Sequence, residues 1–379
     1  SGAFSYAEIG TNIKKSGGEY VFLSEIFSPF LGYLAGWISL SVGFAAPVAL
    51  SAIAVIEYFP FGEPDPVTSS ILLVGIITFI HSLSLKYSSI FQNISTILKV
   101  LLIVALIILG FSISPDIDNV FLNDQGIAEI ASPAFAIALI YVSYSYSGWN
   151  AAVYITEEFK NPRKSLSYAL IGGTLIVTII YTLLQFIFLR HVELSDMMGQ
   201  VDVGAIATQQ MLGQQAGKFF SLAISLLLIS GISAMVWVGP RVTASMANDY
   251  EIWRSFRTPE NGIPGKALWL QFSITALLLL TGTFEQILIY CGFLLTASSM
   301  LTVMGVFILR RRNKDKYHKK EIFISPLFPM FQIIFILFSM AMIIFAFVDK
   351  PFEAAIGTLN LIIGALSWYI DKNAFAKRN

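Results

Sequence analysis

Long apolar runs separated by short polar or charged turns recur along the whole 379-residue chain. A helix needs about 20 apolar residues to cross a bilayer. Read against that length, the runs predict ten complete spans at 30–59, 68–85, 92–113, 132–158, 166–189, 219–238, 267–283, 286–309, 328–347 and 352–370. Residues 1–9 read as the tail of a further helix, a partial span, and 10–27 as a polar, glycine-containing loop with amphipathic character. The chain is therefore predicted to be an all-α membrane protein with a single transmembrane domain over 1–379.

The span 132–158 departs from the pattern in its middle. Ser132 is placed to cap a helix, and Pro133 suits the first turn. Residues 134–144 are apolar or hydroxylic. Ser145, Tyr146, Ser147 and Gly148 follow, with no β-branched residue and a glycine last. A helical pattern resumes from Trp149 to Glu158, and Asn161-Pro162 ends it, because proline drives the preceding residue out of the α region. The weak tetrapeptide thus falls near the bilayer midplane. Unwound backbone at that depth is tolerated only where it lines an enclosed cavity, and such breaks bind substrate in transporters. The same residues also fit an unbroken helix with a Ser/Gly packing face.

Composition narrows the class. The chain is 56% hydrophobic and 13% charged, which excludes an ordinary soluble domain. Its formal net charge is zero, so no basic nucleic-acid surface is indicated. The one cysteine, Cys291, lies in an apolar span and forms no internal disulfide. His81, His191 and His318 lack metal-ligand spacing. No phosphate-binding GxxxxGK[ST] run and no His/Cys/carboxylate cluster at membrane depth occurs, so neither an ATPase nor a membrane enzyme is expected, and no cofactor or metal. Of the 24 Lys and Arg, twenty fall on the odd-numbered loops and C-terminal tail, counting from the 10–27 loop. Three (Arg190, Lys218, Lys350) fall on the other side, and Lys99 lies within a span. The excess predicts that the loop after the partial first helix and the C-terminus are cytoplasmic.

Two sets of ionisable residues stand out. Lys99 is about eight residues into its span, where an ammonium is either functional or snorkels to the interface. Glu157 and Glu158 end the inner half of the broken span and oppose its dipole. They read either as a solvated interfacial pair or as partners of cations such as Arg241, Lys160 or Arg163.

The run YSYSGWNAAVYITEEFKNPRKS (144–165) resembles the sixth span of the amino acid–polyamine–organocation (APC) superfamily. The match is nearest its L-type amino acid transporter branch and bacterial relatives. SYAEIG…KSGGEY (5–20) resembles the end of the second span and its loop, LGYLAGWIS (31–39) the third span, GPRVTASMANDY (239–250) the end of the eighth, and GTFEQILIYCGF…RRR (282–312) the tenth. Lys14 and Ser167 stand where the family usually has proline. The resemblance implies a fold of two inverted five-helix halves plus two C-terminal helices, in a plasma membrane, that of a bacterium in particular. It places Ser1–Phe4 in register with the last turns of the second span. The first helix and most of the second would then precede Ser1, and the chain as written would be an inactive fragment.

The implied function is sodium-independent secondary transport of amino acids by alternating access, as an exchanger or proton symporter. A non-transporting amino-acid sensor on the same fold is the alternative. The substrate is expected to be neutral, because no acidic residue lies deep in the broken span. No obligatory subunit is expected, because the loop 60–66 has no cysteine through which one would attach. The implied site is Val142, Ser143, Tyr144, Ser145, Tyr146, Ser147, Gly148 and Asn150. The outer half-helix would offer the carbonyls of Val142, Ser143 and Tyr144, unsatisfied, to an α-ammonium. The free N–H groups of Trp149 and Asn150 would suit an anionic or polar substrate atom. Tyr144 would pack over the substrate as a gate; from the residue alone it reads as a core aromatic with a satisfied hydroxyl. Lys99 would replace a coupling sodium as a fixed or proton-carrying charge. Trp37 and Trp149 are pocket walls or packing.

Overall fold

A computed structural model describes residues 1–62, 64–83, 88–115, 132–258, 262–313 and 322–375, without the side chains of 88–91, 133, 134, 136, 137, 158, 374 and 375. The end of the predicted 68–85 span, most of the acidic loop and most of the 310–321 basic block lie outside the described residues. So do the cations Lys86, Lys314, Lys316, Lys319, Lys320, Lys377 and Arg378, together with His318.

Among the described residues every regular element is a helix. In chain order they are α1 (Gly2–Asn12), α2 (Glu19–Ile26), α3 (Pro29–Ile38), a π turn (Ser39–Gly43), α4 (Ala45–Glu57), α5 (Pro66–Leu83), α6 (Ser88–Ser112) and α7 (Pro133–Ser145). A 3-10 segment (Ala151–Glu158), α8 (Pro162–His191), α9 (Leu194–Met197), α10 (Val203–Leu212) and α11 (Gln214–Asp249) follow. A second 3-10 segment (Glu251–Phe256), α12 (Gly265–Thr281), α13 (Phe284–Arg312), α14 (Met330–Asp349) and α15 (Pro351–Phe375) complete the set. Eight helical stretches in the described residues are long and apolar enough to cross a membrane, and α12 is a shorter apolar one.

The outward faces are apolar as well as the core. Leu72, Ile76, Phe79 and Ile80 of α5, Leu175, Ile176 and Ile179 of α8, and Leu337, Phe338 and Ile344 of α14 are all exposed. Water would not tolerate so continuous an apolar surface, whereas lipid does. Inside, α11 packs on α4, α5, α6 and α12, while α13 packs on α1, α2, α7, α14 and α15. One core cluster joins the π turn and α4 to α7 and α13; another joins α1 and α2 to α8 and α13. These two flank the middle of the broken span.

Local chemistry explains the irregular points. The π turn closes at Gly43, four residues before Pro47, whose ring would clash with that carbonyl in a regular helix. Ser132 Oγ accepts from the Phe135 N–H at 3.2 Å, with Pro133 in the first turn. The sequence predicts a polar connection from Pro240, yet α11 runs through that proline to Asp249. Gly239, Pro240, Val242 and Thr243 are all buried there, and Gln271 Nε2 donates to Met235 O at 3.3 Å beside the bend. Packing against the neighbouring helices holds the helix through the proline.

The contact of α3 with α2 is equally tight. A Cβ at Gly32 would lie 2.8 Å from both Cα and N of Ser24. Gly32→Ala should therefore lower stability by about 1–3 kcal/mol through overpacking. Thermal unfolding in detergent reads this directly; an unchanged midpoint would mean that α2 moves aside at no cost.

Candidate functional site

A cavity of about 340 Å³ lies against the middle of the broken span. Ser143, Tyr144, Tyr146, Ser147, Gly148, Trp149 and Asn150 form one wall. Ile38 and Ser39, Thr296, Ser298 and Ser299, and Phe335 and Met342 form the others. The lining is thus hydroxylic and aromatic. Val142 and Ser145 are on the same segment but do not line the cavity; both side chains are exposed on its outer side.

The break is a run of turns. Helix α7 ends at Ser145, and each of Tyr146, Ser147, Trp149, Ala151 and Val153 bonds through its N–H to the carbonyl three residues before it. Gly148 has φ +88°, which favours glycine, and a Cβ there would meet nothing, so conformation and not space selects it. Ser145 Oγ also donates to Val142 O at 2.7 Å, a local bond of the kind that competes with helix. Three expectations change. The Trp149 N–H, expected to be free, donates to Tyr146 O at 3.0 Å. The inner arm, predicted as helix from Trp149, begins at Ala151 and is 3-10. The carbonyls of Val142, Ser143 and Tyr144 are not unsatisfied: they accept from Ser145 Oγ, Tyr146 N and Ser147 N. Each carbonyl oxygen keeps one lone pair for a ligand.

Tyr144 is half-buried on the cavity wall and packs against the core cluster of α4, α7 and α13. Its hydroxyl has no hydrogen-bond partner among the described residues. Trp149 both lines the cavity and meets Tyr6 edge-on, with ring centroids 4.6 Å apart. Trp37 does not line it; its Nε1 donates to Asn360 O at 2.9 Å, across to α15.

Glu19 was not singled out from the sequence. It is 4% exposed, at the start of α2, and reaches the cavity. Its carboxylate accepts from Tyr6 Oη at 2.8 Å, from Tyr154 Oη at 2.5 Å and from Asn150 Nδ2. Among the described residues it has no cationic partner, so neutral donors alone satisfy it. Asn150 therefore spends amide hydrogen on Glu19. The one available signal was a carboxylate following Gly17-Gly18 in a mostly apolar stretch.

Lys99 does not line the cavity. Helix α6 starts four residues earlier than predicted, which puts Lys99 roughly 16 Å along it, near half-way. Its Nζ faces α11, where a Cβ at Gly231 would lie 3.7 Å away, and it has no hydrogen-bond or ion-pair partner among the described residues. Polar contacts between the same helices surround it: Gln92 Nε2 donates to Ser230 O at 2.8 Å, and His81 Nε2 and Ser233 Oγ are 2.8 Å apart.

A second, smaller crevice of about 260 Å³ lies on the side of the 10–27 loop. Glu157 and Arg241 both line it, with Ser16, Gly17, Tyr20, Tyr154 and Ser245. The Glu157 N–H donates to Ser16 Oγ at 3.0 Å, and the Arg241 guanidinium stacks 3.9 Å from the Trp237 ring centroid. The Glu158 side chain lies outside the described residues. Tyr20 donates to Asp249, and burial together with that carboxylate holds its phenol well above the usual range, so it stays a donor.

The sequence profile of the amino acid permease family matches residues 1–366. The serine/threonine exchanger SteT of Bacillus subtilis (strain 168) is 27% identical over 88% of this chain and 77% of its own length. The large neutral amino acids transporter small subunit 2 of Rattus norvegicus is 27% identical over 97% of this chain and 71% of its own. The Asc-type amino acid transporter 1 of Mus musculus is 24% identical, again over 97% and 71%.

Proposed function

This chain belongs to the amino acid permease family, and from that premise we propose that it is a sodium-independent exchanger of neutral amino acids working by alternating access. It is a multi-pass membrane transporter and not an enzyme. The observation that carries the substrate reading is the cavity against the unwound 146–150 segment, where backbone groups meet small hydroxyls and aromatic rings. Second lone pairs on the α7 carbonyls suit the α-ammonium, and the hydroxylic wall suits an uncharged side chain. Glu19 is occupied by three donors and offers no free carboxylate to a cationic side chain. Exchange is favoured over proton symport by the name of the Bacillus relative. The fold follows the plan of two inverted five-helix halves, with α14 and α15 added. The cation-rich face is cytoplasmic, and no partner subunit is needed.

Lys99 supports sodium independence. An ammonium near the middle of a lipid-facing bundle, turned to the close approach of α6 and α11, supplies in fixed form the charge a coupling cation would bring.

Counterflow in proteoliposomes, with a competition panel of neutral, cationic and acidic amino acids, tests the whole reading. Saturable exchange of neutral amino acids by the complete protein is expected, unchanged when choline replaces sodium. Binding without counterflow would instead make the protein a sensor. Lys99→Ala should slow exchange about tenfold, the equivalent of about 1.4 kcal/mol, by removing the fixed positive charge. A sodium requirement in the parent protein, or full rates in Lys99→Ala, would remove the role given to this lysine.

A further inference from the structure

We infer that Tyr154 is the partition between the central cavity and the cation-side crevice, and that Glu19 is the latch that holds it closed. This rests on the transport reading only for its purpose; its geometry stands apart. Tyr154 lines both spaces, the cavity and the crevice. Its ring is held by two neighbours. Phe44 meets it edge-on at 5.6 Å between centroids. The Gly18 backbone also presses on the ring: a Cβ there would lie 2.5 Å from Tyr154 Cε1, and φ is +59°. Only glycine lets the loop come so close.

The latch is a single carboxylate. Glu19 Oε2 takes the Tyr154 hydroxyl at 2.5 Å, and Oε1 takes Asn150 from the other end of the same inner arm. Tyr6 of α1 donates to Oε1 at 2.8 Å and fixes the carboxylate from behind. The inner arm is thus pinned at residues 150 and 154 to one buried acid on α2, which is itself held by α1. Hydrogen bonds to a charged acceptor are the stronger kind, so together they hold the closed arm firmly. The arm they hold is a short 3-10 segment with a non-helical residue, Ile155, next to Tyr154. Short 3-10 stretches have poorer bond geometry than α-helix and often mark hinges. Swinging this arm away from Glu19 would join cavity to crevice and open the path to the cation-rich face.

Cysteine accessibility tests this in the full chain reconstituted in vesicles. A Ser298→Cys reporter in the cavity and a Ser245→Cys control in the crevice are placed singly in a Cys291→Ala background. A membrane-impermeant methanethiosulfonate is then applied from the cation-rich face, with no amino acid present. Tyr154→Ala, which removes both the ring that separates the two spaces and its bond to Glu19, should speed labelling of the cavity reporter at least about tenfold. Glu19→Gln and Tyr154→Phe, which keep shape and remove the charge or the hydroxyl, should each speed it by a smaller factor. The Ser245→Cys rate should not change in any of them. Unchanged cavity labelling in Glu19→Gln and Tyr154→Phe overturns the latch. A parent protein whose two reporters label equally fast overturns the partition. Labelling needs no solute, so failure to exchange amino acids would overturn the transport reading and leave this one standing.

Discussion

Tyr144→Ala is expected to cut transport efficiency about a hundredfold, the equivalent of about 2.7 kcal/mol of lost closure over the substrate. Tyr144→Phe is expected to stay within about threefold of the parent, a difference below 1 kcal/mol. The asymmetry follows from the ring's surroundings. Tyr144 is packed on the core cluster around Ile140 and Ile289 while its face forms part of the cavity wall. Its hydroxyl bonds to nothing among the described residues. The ring therefore contributes area and closure, and the hydroxyl contributes little. The check is kcat/KM for exchange in proteoliposomes at equal reconstituted protein. A Phe variant as poor as Ala would show that the hydroxyl meets a substrate atom, and Tyr144 would then be a recognition group and not a gate.

How far the site was legible depends on whether its cause is local. The weak tetrapeptide ending in Gly148 is a local signal: one left-handed residue and serines that bond their own backbone break a helix wherever they fall. The Ser132 cap and the stop at Asn161-Pro162 are local too, and both stand in the structure. The apolar runs marked the helices because lipid selects apolar residues on faces that a soluble protein would keep polar. What could not be read was long-range. Glu19 is joined to Asn150 and Tyr154 across 131 and 135 positions, and nothing in the 10–27 loop reveals those partners. The passage of α11 through Pro240 likewise depends on burial by other helices. That the cavity takes Ser147 but not Ser145 is a matter of which face the turns present, which composition does not encode.

Glu8→Gln is expected to destabilise the protein by about 3–5 kcal/mol, the usual cost of breaking one side of a buried ion pair. Glu8 is fully buried on α1 and faces Arg310 at the end of α13 through two parallel bonds, Nε to Oε1 at 2.8 Å and Nη2 to Oε2 at 2.7 Å. The Ser325 N–H also donates to Oε2 at 2.7 Å, and Arg310 returns a bond to Ser325 O at 3.2 Å. The guanidinium stacks 3.8 Å from the centre of the Phe328 ring. Gln332 Nε2 donates to both Ser5 and Ser325, so α1, α13 and the chain entering α14 are tied at one point. Such a pair contributes little relative to a well-packed apolar replacement, but a lone half of it is costly, because the remaining charge has lost its counter-charge. Arg310→Leu should therefore be as damaging as Glu8→Gln, and the double variant Glu8→Leu/Arg310→Leu should recover part of the loss. Arg310→Lys keeps the charge and forfeits the paired geometry and the stacking, so it should fall between parent and Arg310→Leu. Thermal unfolding of the detergent-solubilised protein orders the four variants. Additive losses in the double variant would mean that the two residues act independently, and the joint between α1 and α13 would have to be assigned to the apolar contacts of Ala7 and Val306 instead.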